Sequence, residues 1–173
     1  MVAPQIVTAA VGAPALADHR PLRSALGRYA TGVAIVTTCG PDGAPVGLTV
    51  NSFTSLSLDP PMVLWCLRRA ASSLPAFSAS THFAVNVLSA DQQALAKRFA
   101  SSAVPDKFDG VAWQPGSHGL PLLSGTIGQL TCRRSREVHG GDHLIVLGLI
   151  EEYDVTPGAP LVFHDGRFRR LDD

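Results

Sequence analysis

Charge is scarce in this chain. Only 16% of its 173 residues are charged, against roughly 25% in an ordinary domain. The 14 Lys and Arg are matched by 14 Asp and Glu, leaving no net charge. That balance excludes the cationic footprint of a nucleic-acid binder. Long apolar runs are missing too: residues 62–67 and 144–150 end at Arg68 and Glu151, far short of the roughly 20 residues that cross a bilayer. Cysteine is thin. Cys39, Cys66 and Cys132 form neither a CxxC pair nor an even framework, which points to a reducing cytoplasmic setting rather than a disulfide scaffold. Neither G-x-G-x-x-G nor a P-loop occurs, so any dinucleotide is held without a Rossmann fold. A G-x-S-x-G elbow is also absent, and Gly116-Ser117-His118-Gly119 lacks the strand–turn–helix setting.

What remains is an apolar fraction of 46%, enough for a folded chain, cut up by 16 Gly and 13 Pro. Residues 1–20 carry no Lys or Arg before Arg20. The small apolar stretch over 6–17 therefore lacks the cationic flank of a secretory signal. It reads as a flexible arm, with one folded domain over residues 21–173. Asp18 and Pro21 predict a helix over 21–30, with Leu22, Ala25, Leu26 and Tyr29 at helical spacing. Residues 33–39 are rich in β-branched side chains and predict a strand. The turn Gly40-Pro41-Asp42-Gly43 returns the chain into a hairpin partner over 45–52.

Further strands are expected over 62–67, 83–88, 126–133 and 144–152, with a last hairpin over 161–169 around Asp165-Gly166. Residues 75–79 suggest a short helix. A clearer one spans 91–100, with Asp91 as cap, Leu95 and Phe99 four apart, and Lys97 and Arg98 in the last turn. Many hairpins and few helices argue for a closed or nearly closed antiparallel β-barrel.

Three segments carry candidate chemistry. The strand end Thr49-Val50-Asn51-Ser52, running on through Ser55 and Ser57, offers hydroxyl, amide and backbone groups suited to the edge of a planar heteroaromatic ring. The same pattern also serves ordinary turns. Arg68 with Ser72 and Ser73 makes a phosphate cradle or a solvated loop. Lys107 beside Phe108 leaves the same two choices. His139-Gly140-Gly141-Asp142-His143 places two histidines four apart, but the glycines break the helix that would give them one face. A hairpin turn aiming His143 at a ligand, oriented by Asp142, is the better reading, and no metal centre is expected.

In order along the chain, the runs RYATGVAIVTT (28–38), GLTVNSFTSLS (47–57) with Asp59-Pro60-Pro61, FAVNVL (83–88) and Gly141-Asp142-His143 resemble the flavin reductase-like family. The resemblance covers about residues 21–171. It implies a mainly β fold: a split antiparallel β-barrel (Greek key) with a few short peripheral helices, usually a homodimer. It also implies an NAD(P)H:flavin oxidoreductase that reduces FAD or FMN with NADH or NADPH and supplies a separate flavin-dependent oxygenase.

Position by position, the resemblance assigns Thr49, Val50, Asn51 and Ser52 to the isoalloxazine edge, with Ser55 and Ser57 in the same stretch. Thr31 and Gly32 fall beneath the ring, and Arg68, Ser72 and Ser73 at the phosphate. Lys107 and Phe108 close over the flavin tail, and Asp142 and His143 stand near the nicotinamide. No side-chain nucleophile is implied, hydride transfer being chiefly a matter of positioning. Two other readings stay open at this point: a flavin carrier without nicotinamide chemistry, and another split-barrel oxidoreductase using the cluster Arg133-Arg134-Ser135-Arg136.

Overall fold

The computed structural model describes residues 18–171, so most of the arm expected over 1–20 lies outside the described residues. In chain order the strands are β1 (Thr31–Gly32), β2 (Ala34–Cys39), β3 (Pro45–Val50), β4 (Thr54–Leu58), β5 (Pro61–Arg68), β6 (His82–Val87), β7 (Trp113–Pro115), β8 (Pro121–Leu123), β9 (Gly128–Gly140), β10 (His143–Val155), β11 (Val162–His164) and β12 (Arg167–Arg169). The helices are α1 (Arg20–Leu26), α2 (Leu74–Ala79) and α3 (Gln93–Ala100).

Seven strands form one antiparallel sheet in the order β3-β2-β6-β9-β10-β5-β4. Its two edge strands, β3 and β4, are consecutive in the chain and joined by residues 51–53 alone. Four Cα–Cα steps reach at most about 15 Å, whereas six flat interstrand spacings span roughly 29 Å. The sheet therefore curls until its edges approach, leaving a split that the chain itself crosses at Asn51. This is the mainly β, split-barrel architecture expected from the sequence.

Two cores follow from this wrapping. Ala34, Val36, Val63, Trp65, Leu67, Phe83, Val85 and Val146 fill one cluster. Val33, Ile35, Leu88, Ala96, Phe99, Phe108 and Leu161 form a second, which takes in α3. β2 supplies alternate residues to both, which is why residues 33–38 are buried throughout and read as a continuous run rich in β-branched residues. Asn86, fully buried on β6, ties the wall together. Its Nδ2 donates to Ile35 O and Thr37 Oγ1, both at 3.1 Å, and its Oδ1 accepts from Leu123 N at 2.9 Å.

Three local expectations are corrected. α1 stops at Leu26, at Gly27, rather than running to residue 30, and Leu22, Leu26 and Tyr29 lie exposed instead of packing inward. Asp91 does not cap α3. Its carboxylate accepts from Ser89 Oγ at 2.5 Å, while the cap position falls to Gln92, whose Oε1 accepts from Ser89 N. β9 runs to Gly140, well past the expected end at 133, because its polar second half pairs with β10 as an exposed ribbon.

Candidate active site

β3 begins at Pro45, directly after the Gly40–Gly43 turn, and its first residues form one wall of an open cleft of about 480 Å³. Ser72 and Ser73, in the loop between β5 and α2, form the second wall, and residues 102–109 the third. The structure thus brings together two adjacent pairs far apart in sequence, Ser72-Ser73 and Lys107-Phe108. Gly47 lines the same cleft, and a Cβ there would stand 2.7 Å from Phe99 Cε1. The floor needs a residue without a side chain.

The 102–109 loop is anchored from below. Half-buried Arg98 donates from Nε to Lys107 O at 2.8 Å, and from Nη2 to Asp106 O at 3.1 Å and Asp109 O at 2.6 Å. Asp106 Oδ1 accepts from the backbone N–H groups of Phe108 and Asp109. Phe108 packs edge-on against Phe99 with centroids 5.0 Å apart. Lys107 Nζ donates to Phe99 O at 2.8 Å, which occupies one of its three donors. Burial lowers the Lys107 pKa from its ordinary value.

Further along β3, Thr49 turns its hydroxyl to Ala96 O at 2.8 Å, fastening α3 to the strand, and Val50 is buried. Asn51 stands exposed in the split. Ser52 Oγ accepts from Cys66 N at 3.0 Å and so bridges the split to β5. Ser55 and Ser57 lie on the edge strand β4 on either side of a register break against Val63 and Met62. Thr31 and Gly32 form β1, paired with β11 in a separate three-stranded sheet. Thr31 Oγ1 is buried without a hydrogen-bond partner.

A third group stands at the β9–β10 corner. Gly141 takes a positive φ of 62° there, as a tight turn requires. His143 Nδ1 and Asp142 Oδ1 are 2.7 Å apart, and that hydrogen bond, before any other influence, lowers the Asp142 pKa. Arg68 faces His143 across the β5–β10 pair, and Arg69 N donates to Asp142 O at 2.9 Å. Arg68 therefore stands with the histidine corner and does not line the cleft beside Ser72 and Ser73.

The family described as "Flavin reductase like domain" matches residues 26–172. The chain belongs to that family. Among its relatives, "FMN reductase (NADH) SmoA" of Agrobacterium fabrum is 44% identical over 154 residues, spanning 89% of this chain and 87% of that protein. "Flavin-dependent monooxygenase, reductase subunit HsaB" of Mycobacterium tuberculosis is 38% identical over 90% of this chain and 83% of its own length. The solved structure of Streptomyces globisporus NADH:FAD oxidoreductase SgcE6, in complex with NAD and FAD fragments, superposes with a TM-score of 0.84. It is 41% identical and covers 90% of this chain and 93% of that one.

In this flavin reductase family member, sequence reasoning missed Arg98 and the opening residues of β3. Arg98 reads as a cation at a helix C-terminus, and nothing in its spacing announces that it grips a loop eight to eleven residues away. Gly47 reads as one more strand glycine until Phe99 is seen beneath it.

Proposed function

We infer that this chain is an NAD(P)H-dependent flavin reductase that reduces FAD or FMN by hydride transfer and supplies the reduced flavin to a separate flavin-dependent monooxygenase. The observation that carries the reading is the cleft, where two serine hydroxyls and a lysine face one space beside Phe108 and adjoin the strand leading to the split. The relatives named above are named as reductases, and this chain spans 83–93% of each of them. Buried and unpartnered, Thr31 Oγ1 suits a polar atom brought by a ligand. When bound, a flavin supplies the hydride acceptor at N5 and reduced nicotinamide the donor.

The chain's own part is to bind, orient and exclude water. Ser72, Ser73 and the two remaining donors of Lys107 suit the anionic tail. Thr49, Val50, Asn51 and Ser52, chiefly through backbone groups, with Ser55, Ser57, Thr31 and Gly32, surround the ring. His143, oriented by Asp142 and flanked by Arg68, serves the nicotinamide. No helix among the described residues is long and apolar enough to cross a membrane, and a cytoplasmic site of action accords with three unpaired cysteines. A homodimer accords with the exposed edge strand β4, where Leu58 is 92% exposed, and with Tyr153 at 77% near the far end of β10.

Nicotinamide absorbance tests the activity. Adding free FAD or FMN to the purified protein with NADH or NADPH should consume the nicotinamide in at least one of the four pairings. Flavin binding with no oxidation in any pairing would leave a carrier in place of an enzyme.

A further inference from the structure

One cluster of titratable side chains converges away from the cleft and serves none of the roles above. His82 opens β6, Glu151 lies in β10 at a register break, and His118 sits on the short 3-10 turn (Ser117–Gly119) between β7 and β8. His82 Nε2 and His118 Nε2 stand 3.4 and 3.5 Å from the same oxygen, Glu151 Oε2. All three donor atoms lie within 4.8 Å of one another. We propose that His82, His118 and Glu151 form a three-ligand site for a divalent first-row cation of the zinc class, clipping the 117–119 turn to the barrel wall.

The spacing fits the ion. Four ligands at about 2.0–2.1 Å around a tetrahedral centre stand about 3.3–3.4 Å from one another, close to the two nitrogen–oxygen separations observed. Two imidazoles and one carboxylate suit zinc, cobalt or nickel, whereas magnesium and calcium take oxygen ligands. The surroundings orient the donors in the way such sites require. His82 Nδ1 lies 2.9 Å from Thr81 Oγ1, so an Nδ1–H held by that hydroxyl leaves the Nε2 lone pair free. Glu151 Oε1 accepts from Arg133 Nε at 3.1 Å, which turns Oε2 toward the histidines.

The turn carrying His118 is tethered on both sides. Ser117 Oγ donates to the Glu152 carboxylate at 2.8–2.9 Å, Thr37 Oγ1 to Pro121 O at 2.6 Å, and Cys39 Sγ to Gly119 O at 3.2 Å. His118 holds a left-handed backbone, φ 59°, over His82, their rings stacked with centroids 3.8 Å apart. Parallel rings direct their lone pairs side by side, so closure on an ion tilts one ring out of the stack. His118, 48% exposed, is the one free to tilt, while Thr81 holds His82.

Chelator-treated full-length protein titrated with Co²⁺ alone tests this. The expected result is one equivalent per chain, with the intense visible absorption of a four-coordinate ion, displaced by Zn²⁺. His118→Ala and Glu151→Gln should each weaken binding at least tenfold, their folds verified by circular dichroism. Zn²⁺ should also raise the Tm of the unsubstituted protein and not that of His118→Ala. Absence of the Co²⁺ spectrum, or affinity unchanged in both variants, would overturn the proposal; the latter would assign the ion to another group, such as the His139–His143 hairpin.

Discussion

At the cleft, Lys107 and Phe108 ride on a loop whose carbonyls are fastened to Arg98, over a floor where Gly47 meets Phe99. At the split, Asn51, Ser55 and Leu58 stand exposed on or beside an edge strand, and one side chain, Ser52, reaches across to β5. The first region is organised before any ligand arrives, so binding there costs little ordering. The second leaves a face open, as the proposed hydride donor and the proposed second copy of the chain both require. Within one barrel, anchoring and access are assigned to different ends.

Breaking the built end should have the largest effect. Arg98→Ala removes three charge-assisted hydrogen bonds to the loop, each worth about 1.5–3 kcal/mol. KM for FMN or FAD should rise roughly a hundredfold, with kcat at saturation little changed, and Arg98→Lys should restore part of the loss. Equal falls in kcat and kcat/KM would show that the loop acts at the transition state instead. At the open end, Leu58→Asp places a charge on the exposed edge of β4. Sedimentation should show the dimer dissociation constant raised by roughly ten- to a hundredfold, the worth of one buried Leu side chain of about 1.5–3 kcal/mol. An unchanged sedimentation profile would remove β4 from the interface.

The corner proposed for the nicotinamide is a smaller target. His143→Ala should raise KM for NADH about tenfold while flavin affinity, read by fluorescence quenching, stays put. Because the His143 contact lowers the Asp142 pKa, the Asp142 carboxylate stays ionised below the ordinary carboxylate range. The linked stabilisation is present above the unfolded pKa and fades as pH falls through the lowered folded one. KM for NADH should therefore rise as the Asp142 carboxylate is protonated at that acid end. A collapse of flavin binding in His143→Ala would move His143 to the ring.

The thiols give the mildest contrast. Cys132 is buried in the wall with its pKa pushed up to about 12 by burial, then by Glu151. Cys66 lies partly exposed on β5 beside the split. A thiol reagent near neutral pH should label Cys66 in the native protein and Cys132 only after unfolding. Native labelling of Cys132 would mean that the wall opens.

Much of this contrast was legible in the residues. Gly40-Pro41-Asp42-Gly43 and Asp165-Gly166 mark their hairpins because turn geometry is local, and the Leu95–Phe99 spacing marks α3 for the same reason. Ser72, Ser73, Lys107 and Phe108 were legible as polar or paired positions, but not as neighbours, since the cleft that joins them exists only once β3 and the 102–109 loop are folded. The exposed face of α1 misled because helical spacing of Leu22, Leu26 and Tyr29 says nothing of what covers them. His82, His118 and Glu151 carry no motif at all. Their meeting depends on the pairing of β6 and β10 with β9, and on a turn between the short strands β7 and β8.

Steady-state NADH oxidation with FMN, FAD and riboflavin, in the unsubstituted protein and in Ser72→Ala/Ser73→Ala, tests the division of labour most directly. The hydroxyls face an anionic tail in this account, so the double variant should raise KM for FMN and FAD at least tenfold, toward that for riboflavin, and leave riboflavin unaffected. Equal losses for all three flavins, or no oxidation with any of them in the unsubstituted protein, would contradict it.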